Sequence, residues 1–398
     1  MKRILTLTFV ALVILAAGHA ISAQQQFGGA QLAVPEIPFD SVPNFLKLPD
    51  NLYLGEVTGV ATNSKQHVFV YTRTGTTTAT LGGSRVFTHG GSRLFEFDEK
   101  GAYVREIGVG IYGFVFAHVV RVDSQDNIWV VDEAANLVIK FDPNGRVLMT
   151  IGRKPESINI RNYEPPAPPA GAAGRAGGAP AGEGRGAAAG PAGAGGGRGG
   201  QQAAAPPVVG AGVAGESFNR PTDVGWDQQG NVFVSDGYGN SRVVKYDKNG
   251  VFLKMVGHRG TGPLEFNTPH GLAVDAQGNV YIADRGNNRI QVLDNELNFK
   301  AQYLNVGSPW TVCVSPGAHQ YLFTSNSNYP NNFDNGEMYK MELDGKIVGR
   351  FGEAGKQLKQ FGSVHEIDCR DPNGIVVGEL TNWRAQKLML KAPTASTQ

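Results

Sequence analysis

Cysteine is nearly absent from this chain: 398 residues hold two, Cys313 and Cys369. That is too few for a disulfide framework, and the spacing leaves open whether the two pair, because it does not say how close their Cα atoms lie. Excess charge is also missing. Thirty-six basic residues face thirty-five acidic ones, a formal net charge of +1, so the electrostatic footprint of a nucleic-acid-binding protein is excluded. After the first residues there is no second apolar run long enough to span a bilayer, and no stretch with the period of a long amphipathic helix.

The amino terminus reads MKR, then ILTLTFVALVILAAG, then small residues to Ala23. A basic start, a short apolar core and a small-residue exit are the marks of a secretory signal peptide, expected over residues 1–23. No cysteine stands at the cleavage region, so a lipoprotein is not expected. A secreted or periplasmic protein is expected, soluble once the signal is removed and monomeric. Residues 164–215 are almost all Ala, Gly and Pro with scattered Arg. Such a segment buries too little apolar area to offset its ordering entropy, so a disordered insert is expected there, and a tail at 392–398.

What the sequence does have is a repeat. PTDVGWDQQGNVFVSDGYGNSRVVKYDKNG at 221–250, PHGLAVDAQGNVYIADRGNNRIQVLD at 269–294 and AHVVRVDSQDNIWVVDEAANLVIKFDPNG at 117–145 are copies of one unit. A longer copy begins at Val57, a degenerate one at Pro309 and a truncated one at Val364. Each full copy holds four short runs rich in β-branched and aromatic residues, separated by Gly-Asn or Asp-x-Asn-Gly turns. Six such units predict an all-β, six-bladed β-propeller over 49–391, with roughly 51 residues per blade once the insert is removed. The last copy shows three strands only. The segment 24–48, through Phe45-Leu46-Lys47-Leu48, is the expected donor of the fourth, closing the ring and removing two sheet edges.

One repeat position carries Thr58, His118, Thr222, His270, Trp310 and His365 in turn. A lone histidine before a strand usually only packs. Three in alternate blades of a ring converge on its axis with about three-fold spacing, which suits a metal ion with an open fourth position. Imidazoles suit zinc, and also iron, copper and nickel. The second strand of each blade returns to the same face. There Arg73 stands where other blades have Asp132, Asp236 and Asp284, and Tyr238 lies just beyond. One mouth of the channel is therefore expected to gather three histidines, an arginine and a tyrosine.

The run Ser235-Asp-Gly-Tyr-Gly-Asn-Ser-Arg242, with PHGLAV and IADRGNNRIQ after it, resembles the peptidyl-α-hydroxyglycine α-amidating lyases, secreted propellers of NHL-type repeats. The resemblance covers about residues 40–391 without the insert and is strongest over 218–292. It implies that His118, His270 and His365 bind zinc, and that Tyr238 and Arg73 are catalytic. It implies cleavage of the N–Cα bond of a peptidyl or N-acyl α-hydroxyglycine to an amide and glyoxylate. Ser363-Val364-His365-Glu366 departs from the family's Met-Pro-His-Asp. Glu366 stands for an aspartate that helps hold a structural calcium, so calcium is a second cofactor to test. Gly239 stands where the family has a half-cystine. A non-catalytic NHL-type binding propeller and a metal-dependent propeller hydrolase are the rival readings.

Overall fold

Between the turns, the branched and aromatic runs form strands in a computed structural model, which describes residues 34–74, 78–81, 85–88, 91–152, 218–326 and 336–392. The expected signal peptide and the 164–215 insert lie outside the described residues. Six antiparallel four-stranded sheets form the blades of a six-bladed propeller. The turns follow from their carboxylates. Asp123, Asp227 and Asp275 each accept the backbone N–H groups two and four residues on, closing the first hairpin of blades two, three and four. Such a turn demands a left-handed residue, supplied by Gly230 and Gly278, both at φ +84°.

The core lies between the blades. Phe69, Tyr71, Phe114 and Phe141 fill the wedge between blades one and two, and Trp129, Phe218 and Tyr246 the wedge between two and three. Each wedge is closed by side chains from one face of each of two neighbouring sheets, the period-two consequence of strand geometry. The inner strands, from blade one to blade six, are Glu56–Thr62, Ala117–Val122, Asp223–Trp226, Pro269–Val274, Pro309–Val314 and Val364–Asp368.

The ring is closed by a strand from the expected N-terminal segment, a few residues ahead of Phe45–Leu48. Phe39–Ser41 pairs antiparallel with Arg384–Leu390 of blade six, Phe39 opposite Leu390. Phe45–Leu48 instead lies on blade one, where Lys47 N–H donates to Gly101 O at 2.7 Å and Phe45 is buried against the first blade's core. The apolar run is used as a plug. The true strand hides between Pro38 and Pro43, residues that argue against a strand in sequence, and Phe39 packs on Phe351 and Phe361 at 5.8 and 6.1 Å.

Cys313 and Cys369 are joined by a disulfide with Cα atoms 6.0 Å apart, tying blade five to blade six across 56 residues of chain. Replacing both by alanine is expected to lower unfolding stability by about 2–4 kcal/mol, through the loop entropy returned to the unfolded chain. Denaturant titration of the double variant against the oxidised protein measures it. No change would mean that the bridge adds nothing to a ring already closed at Phe39–Ser41.

Candidate active site

The six positions read as one register in sequence share a backbone irregularity. Thr58, His118, His270, Trp310 and His365 each fall where the inner strand slips register against its neighbour, and Thr222 lies just before its strand. A bulge leaves one residue out of the ladder and re-aims its side chain. Here it turns the imidazoles towards the axis.

There they meet. Ring centroids of His118, His270 and His365 lie 4.7, 4.7 and 4.9 Å apart. One nitrogen from each lies within 4.8 Å of the others, the one such cluster of metal-ligating side chains among the described residues. The alternate blades supply the orientation. His270 Nδ1 donates to Trp310 O and His365 Nδ1 to Thr58 O, both at 2.7 Å. A carbonyl can only accept, so both rings carry the proton on Nδ1 and present a lone pair on Nε2. His118 has the Thr222 carbonyl acting on it in the same way, but its buried Nδ1 makes no well-formed hydrogen bond. Even blades thus supply imidazoles and odd blades the carbonyls that set them.

Burial, then the neighbouring imidazoles, push the His118 pKa well below the usual histidine range. Burial and the charge on Arg73 lower His365 to about 3, and burial chiefly lowers His270. All three are neutral near pH 7, the form that binds metal. Three Nε2 lone pairs, two of them fixed by backbone, and one unsatisfied imidazole nitrogen make a donor set that fits a divalent ion.

Tyr238 stands over this cluster, its hydroxyl donating to His270 Nε2 at 3.0 Å and 3.4 Å from His118 Nε2. Its turn is held by a close approach: a Cβ on Gly237 would stand 1.9 Å from Pro269 O, next to His270. Burial raises the phenol's pKa above 10, against the pull of Arg285, Arg73 and Arg220. A phenolate set by the surrounding cations alone is therefore not what the residues produce, because desolvation outweighs them. Arg73 is also at the site, but largely engaged. Its Nε donates to Ala117 O at 2.8 Å, one Nη to Glu56 at 3.0 Å, the other faces Glu133 at 3.7 Å, and the plane lies over Phe116.

Arg285, Glu133 and Arg220 escaped the sequence analysis, and Trp310 was placed at the repeat position without a role. Arg285 lies over the Trp310 ring at 4.5 Å and makes no ion pair among the described residues. Trp310 in turn stands between His270 and His365 at 5.3 and 5.4 Å, its buried Nε1 unpartnered. Glu133 binds Arg220, whose guanidinium covers the Tyr238 ring at 4.5 Å. Glu133, Gly237 and Arg285 each follow the carboxylate that ends a blade's second strand, and that offset was the available signal.

Those carboxylates have a scaffold role. Asp132, Asp236, Asp284 and Glu379 accept backbone N–H groups from Phe116, Asn219, Asn267 and Gly362, two or three residues before the axial position of their own blade. Asp236, Asp284 and Glu379 also pair with Arg242, Arg289 and Arg384. Most of the Ser235–Arg242 motif is therefore a clamp shared by three blades. Tyr238, in a turn one residue longer than its counterparts, is the part particular to this site. Glu366 is not at the mouth: it sits one step deeper, on Arg121.

Fold and site together define a six-bladed β-propeller with three buried histidines converging in its channel. A family model of the NHL repeat matches residues 218–246 and 266–293, in blades three and four. No curated protein matches the chain by sequence. Among solved structures it is similar to a streptogramin B lyase, at 12% identity with TM-score 0.46, covering 89% of this chain and 98% of that one. It is also similar to virginiamycin B lyase from Staphylococcus aureus, at 11% identity with TM-score 0.48, covering 89% and 100%. A gluconolactonase from Xanthomonas campestris is similar at 14% identity with TM-score 0.48, covering 91% and 99%. Identities this low speak to no shared reaction.

His270→Ala is expected to remove the metal without unfolding the ring, since the clamp at Asn267 is untouched. Elemental analysis should find one equivalent of zinc in the wild type after loading and close to none in the variant. Full retention in His118→Ala, His270→Ala and His365→Ala alike would show that the three do not share an ion.

Proposed function

We propose that this chain is an exported, zinc-dependent propeller lyase that cleaves the N–Cα bond of a peptidyl or N-acyl α-hydroxyglycine, releasing an amide and glyoxylate. The observation that carries the reading is the Tyr238 hydroxyl held against two imidazole nitrogens whose lone pairs face a common point. Export is supported by the apolar leader in sequence and by a disulfide of the kind that persists in oxidising compartments.

His118, His270 and His365 would hold the ion, and a bound divalent ion polarises a hydroxyl or carboxylate oxygen at its open position. The substrate is a carbinolamide. It collapses when its hydroxyl loses a proton, the C–O bond becomes C=O, and the amide nitrogen departs with the C–N electrons and takes up a proton. Tyr238 Oη is placed to move that hydroxyl proton, within hydrogen-bond reach of the imidazole cluster. Arg285 is the better anchor for the substrate carboxylate, since its guanidinium has no acidic partner among the described residues while Arg73 already has two. Arg73 fixes the carbonyl of Ala117 beside His118 and adds positive charge. Trp310, tilted against one imidazole and edge-on to another, covers them on the blade-five side.

Zinc-loaded protein is expected to release glyoxylate from α-hydroxyhippurate. Tyr238→Phe should lower kcat by about 10²–10⁴-fold, the usual worth of a positioned proton-transfer group, with zinc content unchanged. Ester or lactone turnover without glyoxylate would instead assign a hydrolase, and no turnover by the zinc-loaded protein a binding propeller. A separate assay with Arg285→Ala should raise KM more than it lowers kcat, as loss of a ground-state carboxylate contact does. Equal loss from Arg73→Ala with none from Arg285→Ala would reverse the assignment.

A further inference from the structure

One step below the histidines the channel carries a second polar layer, built around Arg121. This residue lies three positions beyond His118 on the blade-two inner strand. Its Nε and Nη2 reach the Asp223 carboxylate of blade three at 3.1 and 2.6 Å. Its Nη1 lies 2.8 Å from Glu366 Oε1 of blade six, and Nη2 also donates to Val312 O of blade five at 3.2 Å. One guanidinium therefore spans the ring and touches three other blades. The side chains of Arg121, Asp223 and Glu366 are 13%, 2% and 2% exposed.

Both Asp223 oxygens and Glu366 Oε1 take further donors from the other side. Leu272 N–H and Val224 N–H donate to Asp223 at 2.7 and 2.8 Å, and Thr311 Oγ1 donates to Glu366 at 3.0 Å. A calcium ion takes six to eight oxygens at about 2.3–2.6 Å. Here three of the four oxygens that Asp223 and Glu366 would offer, all but Glu366 Oε2, are turned onto a guanidinium, three amides and a hydroxyl. Neither residue belongs to a cluster of three or more metal-ligating side chains among the described residues. The calcium expected at Glu366 does not fit.

We infer that Arg121 is a built-in cation. It occupies the place a bound calcium would take, lies between the carboxylates that blades three and six send to the axis, and offsets one of their two charges. A guanidinium stays charged at any pH the protein meets and no chelator removes it. Arg370 repeats the device deeper, its Nη2 crossing from blade six to Val122 O of blade two at 3.0 Å. The inference does not depend on the reaction above, because its readouts are calcium content and stability.

The test compares wild type, Arg121→Ala and Arg121→Lys by thermal unfolding in EGTA, in millimolar calcium and in millimolar magnesium, with calcium content by elemental analysis. The wild-type midpoint should be the same in EGTA after zinc is restored as in calcium, and the wild type should carry no calcium. Arg121→Ala leaves two buried carboxylates without a cation, so its midpoint should fall by about 5 °C or more. Calcium should recover part of the loss and magnesium should not, since magnesium demands a tighter octahedral shell. Arg121→Lys should fall between the two. One equivalent of calcium in the wild type, or a midpoint lost in EGTA and regained with calcium rather than zinc, overturns the inference. So does a folded Arg121→Ala as stable as the wild type. If Arg121→Ala does not fold, the wild-type measurements decide alone.

Discussion

Six inner strands crowd a single axis, and the polar groups they bury there are met mainly from neighbouring blades, with His118 Nδ1, Trp310 Nε1 and Asp368 Oδ2 left over among the described residues. That constraint organises the molecule. At the level of the histidines it is met by alternation: blades two, four and six contribute imidazoles, and blades one, three and five contribute backbone carbonyls towards their Nδ1 atoms. The bulge at five of these six positions is the local device, because it frees one residue from the ladder and turns it inwards. One step deeper the same constraint is met by charge, with Arg121 satisfying carboxylates from two other blades at once.

The outer parts of each blade serve this centre. Carboxylates ending the second strands hold the chain just ahead of the axial residue, and arginines at the start of the next strand bind the carboxylate, reaching in places to the incoming loop as well. Arg289, for example, pairs with Asp284 and donates to Gly262 O and Glu265 O. The loop so held delivers His270. Position is thus passed from an Asp–Arg pair, through a loop, to a ligand nitrogen. Buried ion pairs of this kind are weak sources of net stability and stronger sources of specificity, which is the need at a site where a few tenths of an ångström decide coordination.

Much of this was legible in sequence because it repeats. The blade count came from the spacing of Gly-Asn and Asp-x-Asn-Gly turns, and the histidine trio from one repeat position occupied in alternate copies. What does not repeat was harder to see. Arg285, Glu133 and Tyr238 occupy neighbouring offsets in three different blades, so only Tyr238, carried by a resemblance, stood out. Arg121 looks like any polar residue of an inner strand until the ring brings Asp223 and Glu366 against it. The closing strand was misplaced by a few residues because Phe45-Leu46-Lys47-Leu48 has the more strand-like composition, while Phe39–Ser41 gains its stability from Phe351 and Phe361, far away in the chain. The disulfide depended on the approach of two inner strands, which spacing alone does not encode.

The central claim is that three imidazole nitrogens from alternate blades share one ion. X-ray absorption at the zinc edge of the loaded, full-length protein tests it most directly. The account predicts three nitrogen neighbours at about 2.0–2.1 Å, with multiple scattering from imidazole rings and one further light-atom ligand. A shell of oxygens alone, without the imidazole signature, would place the ion elsewhere and contradict it.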